Sequence, residues 1–281
     1  MIELINVTKK YFGTKAVNNL SLNISNNGIY CLLGRNGAGK TTIMKLITGR
    51  TYATSGRVTV NGRDVSSGST PDCVSYIESG AVQFNMKIPA LIEAAAALQS
   101  NFDYVFAQEM VRRFNLNPNK RYNDLSLGMK TVFAAIIGLA NNSKVILLDE
   151  PMLGVDAIMR SRFNDMLAES YTANPRIIIV STHLIDEIAK MTERLIIIDR
   201  GKLILETGID DIDEHAYTLI GSAESIVPLL DGLNCIGKAT AGSIMSAHIY
   251  GDRINPPSGV TVDRLSLQDF FINIVGGNGH E

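Results

Sequence analysis

Gly34-Arg35-Asn36-Gly37-Ala38-Gly39-Lys40-Thr41-Thr42 stands between an apolar run, Ile29-Tyr30-Cys31-Leu32-Leu33, and an amphipathic segment, Ile43-Met44-Lys45-Leu46-Ile47. The order reads as strand, loop, helix, and the loop fits the phosphate-binding pattern G-x-x-x-x-G-K-[ST]. Glycines let backbone N–H groups turn inward around phosphates, and the positive end of the new helix points at the same place. Lys40 is expected to reach the β- and γ-phosphates. Thr41 is expected to place its hydroxyl on Mg2+, a small octahedral ion that keeps waters and takes few protein ligands. A glycine-rich turn with no ligand is the alternative; the flanking strand pattern and the lysine-threonine pair at the helix start argue against it.

Working outward, the bulk properties restrict what such a site serves. The 281 residues suffice for one large α/β domain and a smaller appendage, and 46% hydrophobic composition is ample for a core. With 26 basic and 28 acidic residues spread along the chain and a net charge of −2, there is no basic footprint, so no nucleic-acid partner is expected. No apolar run approaches the roughly 20 residues that span a bilayer, and Met1-Ile2-Glu3-Leu4 lacks the form of a signal peptide. The chain is therefore expected to be soluble. Cys31, Cys73 and Cys235 are too far apart for a metal knuckle and odd in number, which suits buried thiols in a reducing cytosol.

Before the loop, Met1 to Val7 and Val17 to Ile24 alternate well enough for half-exposed antiparallel strands. Between them Lys9-Lys10-Tyr11-Phe12-Gly13 sets an aromatic in a turn, able to stack a base or to pack on its own sheet. Gly56 to Gly62 reads as a short strand ending in a hairpin. Cys73 to Ile77 reads as another strand, stopping at Glu78-Ser79-Gly80. From Ile88 to Asn115 the pattern turns helical with a break near Asn101, and Asp124-Leu125-Ser126-Leu127-Gly128-Met129-Lys130 leads into a helix over Thr131 to Leu139. That helix start is a second candidate anion site, although a serine there commonly serves only as an N-cap.

Val145-Ile146-Leu147-Leu148 runs straight into Asp149-Glu150-Pro151. A continuous apolar run suits a strand buried on both faces of a parallel sheet, and ligands of such sheets bind at the carboxyl ends of the strands. Asp149 is expected to hold Mg2+ directly or through water, and Glu150 to polarise the water that attacks the γ-phosphate. Arg176 to Thr182 repeats the form and delivers His183, placed to hydrogen-bond a γ-phosphate. Leu195 to Ile204 reads as a closing hairpin.

With these residues together, the sequence resembles the ATP-binding subunits of ABC transporters over residues 1 to about 207. The resemblance implies a P-loop NTPase (RecA-like) α/β core with an antiparallel β subdomain and a helical subdomain at about 79–140, followed by a small C-terminal α+β appendage at 208–281. It makes Tyr11 the adenine-stacking aromatic and Gly34, Asn36, Gly37, Ala38, Gly39, Lys40, Thr41 and Thr42 the Walker A residues. Asp149 and Glu150 end the Walker B strand, Asp156 belongs to the D-loop, and His183 is the switch histidine. Leu125 to Met129 is similar to the signature that the family writes Leu-Ser-Gly-Gly-Gln; it keeps Ser126 and Gly128 but carries Leu127 and Met129, as do ATPases of the bacitracin-resistance type of exporter. The family's Q-loop glutamine has no counterpart where it is expected: Glu78 or Ser79 stands there and Gln83 comes late, so Glu78 is taken as the candidate, able as a carboxylate to ligate Mg2+.

The resemblance implies an ATPase that uses ATP and Mg2+, sits on the cytoplasmic face of the cell membrane, and powers transport, in the export direction, through separate integral membrane subunits. A second ATP-binding subunit, identical or different, would close on it face to face, with each ATP between one chain's Walker A loop and the other's Ser126 and Gly128. The competing expectation is a soluble ABC-type ATPase acting on ribosomes or nucleic acid. Such proteins carry two cassettes or long coiled-coil or zinc insertions, and neither is visible here. The segment 208–281 reads as a dimerisation or regulatory module, with the acidic run Asp210 to Glu214 as a solvated helix cap.

Overall fold

The computed structural model describes residues 1–65, 71–78, 83–183, 185 and 191–277. Two compact units divide it: residues 1–192 with 198–203, and residues 193–197 with 204–281.

The first unit opens with β1 (Ile2–Tyr11) and β2 (Thr14–Ile24), paired antiparallel. Both strands are longer than the alternation predicts. The turn shrinks to Phe12 and Gly13, whose φ values of 45° and 89° form the left-handed pair that a two-residue hairpin requires. β3 (Gly28–Leu33) is buried at all six positions and feeds the glycine loop and α1 (Lys40–Ile47). β4 (Ser55–Val60) pairs with β1 and turns through Asn61 and Gly62 into β5 (Arg63–Asp64), giving the antiparallel order β2-β1-β4-β5.

β6 (Val74–Glu78) precedes the helical insert: α2 (Ile88–Leu98), α3 (Tyr104–Arg113) and α4 (Leu127–Ala140). Ser79, the alternative Q-loop position, lies outside the described residues, as does the start of the insert. α4 begins four residues earlier than its periodicity predicts, because the Ser126 hydroxyl accepts the Met129 N–H at 3.3 Å and turns Leu127 to Lys130 into the first helical turn. Then come β7 (Val145–Asp149), α5 (Ala157–Ala173), β8 (Ile177–Thr182), β9 (Arg194–Asp199) and β10 (Lys202–Gly208). The central sheet has the order β10-β9-β3-β8-β7-β6. Within it β3, β8, β7 and β6 are parallel, with Leu33 opposite Thr182, Ser181 opposite Asp149, and Asp149 opposite Glu78. The loop, both acids and Glu78 therefore share one carboxyl edge.

Arg176 braces the opposite side of this unit. Its buried guanidinium donates to the carbonyls of Ser170 at 2.9 Å and Asn174 at 2.6 Å, at the end of α5, and to that of Leu139 at 3.3 Å, in the last turn of α4. A cation at two helix C-termini suits both dipoles, while burial lowers its pKa to about 10. Arg176→Met removes these charge-assisted bonds from the two helix ends, and is expected to destabilise the fold by about 2–4 kcal/mol. Thermal unfolding checks this, and an unchanged midpoint contradicts it.

The second unit is an α+β body with the strand order β12-β13-β11-β14: β11 (Ala216–Ser222), β12 (Cys235–Ala241), β13 (Ile244–Tyr250) and β14 (Thr261–Arg264). The acidic run forms a short helix, α6 (Ile209–His215), followed later by α7 (Ala223–Ile226) and α8 (Leu267–Gly277). Its core gathers Tyr217, Leu219, Ile226, Met245, Ala247 and Ile249. Asp211 in the first turn of α6 accepts from the Tyr250 hydroxyl at 2.5 Å and from Thr207 at 2.9 Å, and these bonds hold its carboxyl below the usual range.

Candidate functional site

The glycine loop forms a cavity of about 350 Å³ lined by Ala16, Arg35 to Thr42 and Glu150. Two glycines are required by space as well as by conformation. A Cβ on Gly39, where φ is 110°, would meet the carbonyl oxygen of Ala16, and one on Gly34 would lie 2.7 Å from the carbonyl oxygen of Ile198. The backbone thus lies too close to its neighbours for any larger residue. Lys40 is only 7% exposed and donates to the Gly34 carbonyl at 2.7 Å, with its Nζ 3.7 Å from Glu150 Oε1.

Glu150 follows β7 with φ at 49°, a left-handed conformation that costs a non-glycine residue roughly 1–3 kcal/mol. Its N–H donates to the Ser181 carbonyl at 3.0 Å and approaches the Ser181 hydroxyl at 3.2 Å, which holds the turn. The bend aims its carboxylate back over the loop, where Oε2 lies 2.9 Å from His183 Nδ1. Lys40, Glu150 and His183 therefore form a row of cation, carboxylate and imidazole. Asp149 is buried at the strand end and accepts hydrogen bonds from the Ser181 hydroxyl and, at 3.1 Å, from the Tyr76 hydroxyl. Cys31, under the loop, is a buried thiol whose pKa is raised by desolvation and then by Glu150.

Glu78 stands beside Asp149 in register and makes an ion pair with Lys45 of α1, Nζ to Oε1 2.8 Å. Tyr11 ends β1 half-exposed, its hydroxyl 3.3 Å from Thr51 and one ring face 4.8 Å from Lys9 Nζ. Phe12 beside it is fully exposed in the hairpin turn, a second aromatic at this tip that no motif marks in the sequence.

Ser126 and Gly128 lie at the N-terminus of α4 and line no part of the loop cavity. Gly128 and Leu127 lie instead against Gly154 of their own chain. A Cβ on Gly128 would run into the carbonyl oxygen of Gly154, and one on Gly154 would lie 3.1 Å from the Leu127 side chain. Thr131 donates to the carbonyls of Leu127 at 3.0 Å and Leu153 at 3.3 Å, and Asp156 caps α5 through the Met159 N–H at 2.9 Å. Ala16, Tyr76 and Ser181 were not singled out by sequence; only Ser181, at the tip of a buried apolar run, carried a signal there.

The oxygen-only set of Thr41 and Asp149 fits a hard ion such as Mg2+. Among the described residues no three His, Cys, Asp or Glu side chains converge to hold a metal.

Comparison with known proteins agrees with this geometry. The family model described as ABC transporter matches residues 17–153. The lantibiotic transport ATP-binding protein SrtF of Streptococcus pyogenes is 30% identical over 211 residues, which cover 75% of this chain and 92% of that protein. The bacitracin transport ATP-binding protein BcrA of Enterococcus faecalis is 29% identical, and its match covers 99% of this chain and 97% of that one. Among solved structures, an ATP-binding subunit of an ABC transporter superposes with a TM-score of 0.66 at 20% identity over 75% of this chain and 91% of that one. A dimeric post-hydrolysis ATP-binding cassette bound to ADP and Pi superposes with a TM-score of 0.65 at 22% identity, covering 74% of this chain and 99% of that one. On the family match, these identities and the common fold, the chain belongs to the ABC transporter ATP-binding proteins, the ATPase subunits of that family.

Proposed function

We propose that this subunit drives export: it binds Mg2+ and ATP at the loop after β3, cleaves the γ-phosphate, and passes the closing and opening of a cassette dimer to separate integral membrane subunits. Lys40 neutralises the β- and γ-phosphates, and the loop from Gly34 to Thr42 wraps them in backbone N–H groups. Mg2+ would be held by Thr41 and Asp149, with Glu78 nearby, and would neutralise charge building up between the phosphates. Glu150 takes a proton from the attacking water, and His183, bonded to the same carboxylate, orients it. Tyr11, with Phe12 beside it, supplies the aromatic surface for the base.

The observation that carries the dimer reading is the separation of the two phosphate-binding elements. The loop cavity contains Lys40 and Glu150 but neither Ser126 nor Gly128. A helix N-terminus unused by its own chain's loop suits the phosphate of a partner cassette, so each site is completed from two chains and cleavage waits on closure. Asp156 and its neighbours would lie at that interface, and the segment 208–281 would support it as an accessory module.

The membrane partner is supported by a groove of about 360 Å³ where the helical insert meets the sheet, walled by Tyr76, Phe84, Met86, Leu98, Tyr122 and Arg50. An apolar groove with Arg50 and Glu78 among its lining residues suits an amphipathic helical segment of an integral membrane subunit. No helix among the described residues is long and apolar enough to cross a membrane. The transport names of the relatives favour this reading over action on ribosomes or nucleic acid, and in it the chain works at the cytoplasmic face of the membrane. Affinity capture from detergent-solubilised membranes is expected to recover a polytopic membrane protein in stoichiometric amount. Recovery with ribosomes or nucleic acid alone sinks the proposal.

A further inference from the structure

The geometry points to Tyr76 as a positioning residue that sets the direction of the Mg2+-bearing carboxylate of Asp149, working in a pair with Ser181. The inference rests on the reading of Asp149 as the metal carboxylate.

An aspartate side chain turns freely about its last bond, so a carboxylate that serves a metal needs partners to fix its plane. Here one such partner comes from each of the two strands that flank β7. Ser181 of β8, opposite Asp149 in register, donates to Oδ1. Tyr76 of β6 stands two residues before Glu78 and so on the same face; its long side chain reaches past the level of its register partner Leu147 to donate to Oδ2 at 3.1 Å. One hydroxyl on each oxygen clamps the carboxylate across three neighbouring strands.

Two features keep Tyr76 in this role. Arg50 lies 4.7 Å from the ring centroid and holds it from the opposite side. Glu78, the other acceptor at this strand end, is engaged by Lys45 and leaves the phenol O–H to Asp149. The ring also walls the groove assigned above to a membrane partner, so one side chain spans the distance from that groove to the nucleotide carboxylate.

Tyr76→Phe removes the hydroxyl and keeps the ring on Arg50 and in the groove wall. The probe is a fluorescent ADP analogue, titrated at equilibrium in a Mg2+ series and in EDTA, so that no turnover enters the reading. The variant is expected to need about tenfold more Mg2+ for half-maximal enhancement of binding, in the range seen when a metal ligand loses an orienting partner. Affinity in EDTA and the unfolding midpoint of the nucleotide-free protein are expected to stay at parental values. Ser181→Ala is expected to shift the Mg2+ requirement in the same direction. Asp149→Asn separates the role of Tyr76 from that of the carboxylate it positions. If it keeps the parental Mg2+ dependence, the metal reading of Asp149 fails. If it abolishes that dependence while Tyr76→Phe stays within twofold of the parent, the role of Tyr76 is overturned and the reading of the site stands. Equal loss of affinity with and without Mg2+, or a lowered midpoint for Tyr76→Phe, would mark the hydroxyl as a packing element and also overturn the inference.

Discussion

Glu150→Gln lowers ATP turnover by at least about a hundredfold and leaves ATP affinity within a few-fold of the parent. The amide keeps the size and the left-handed backbone of Glu150 but cannot take a proton, and general-base catalysis contributes about 10²–10⁴ to rate. The substitution also removes the negative charge 3.7 Å from Lys40 Nζ, which frees that cation for phosphate, so binding does not fall with turnover. With cleavage blocked and closure still driven by ATP, the variant accumulates as a dimer. Phosphate release and size-exclusion chromatography with and without ATP measure the two effects. Turnover within threefold of the parent would remove Glu150 from the base role; lost turnover without a dimer would leave the base and refute the shared site.

Lys40→Ala lowers nucleotide affinity by at least about thirtyfold, the equivalent of about 2 kcal/mol for a charge-assisted contact to phosphate. Nζ is enclosed by the loop and bonded to the Gly34 carbonyl, so no other cation replaces it without rebuilding the turn. Without it the carboxylate of Glu150 faces the incoming phosphates, and repulsion adds to the missing attraction. Equilibrium titration with a fluorescent ATP analogue gives the affinity. The unfolding midpoint without nucleotide is expected to shift little, because the Lys40 ammonium bonds to loop carbonyls and holds no part of the apolar core. Undiminished binding would discredit the assignment of the loop.

Much of the core was legible because its signals are local. A fully buried parallel strand needs an unbroken apolar run, and β3, β7 and β8 each show one, ending in the polar residues that form the site. The hairpins after β4 and β9 were legible because Asn61-Gly62 and Arg200-Gly201 turn through left-handed pairs. Other boundaries moved. Strands β1 and β2 run on to Tyr11 and Thr14 because pairing with each other satisfies backbone groups that a wider turn would leave open. Helix α4 starts at Leu127 although a glycine follows, since Gly128 is required there by the backbone of Gly154. In the second unit, β11 escaped the pattern because its first four residues are all buried, which removes the alternation that marks a half-exposed strand.

What the sequence determined by itself is the set of residues at the ends of single elements: a glycine loop after a buried strand, a lysine and threonine at a helix start, two acids at one strand tip and a histidine at another. These needed no partner to be read, because residue type and immediate neighbours carry the signal. Tertiary structure alone decided which groups act on one another. Parallel register sets Ser181 and Glu78 on either side of Asp149 and brings the Tyr76 hydroxyl to its carboxylate. An ion pair between α1 and the end of β6 gives Glu78 to Lys45, and close approach of Gly128 and Gly154 joins the start of α4 to the loop before α5. Contacts of this kind join stretches far apart in the chain, so they leave no local pattern for a single sequence to show.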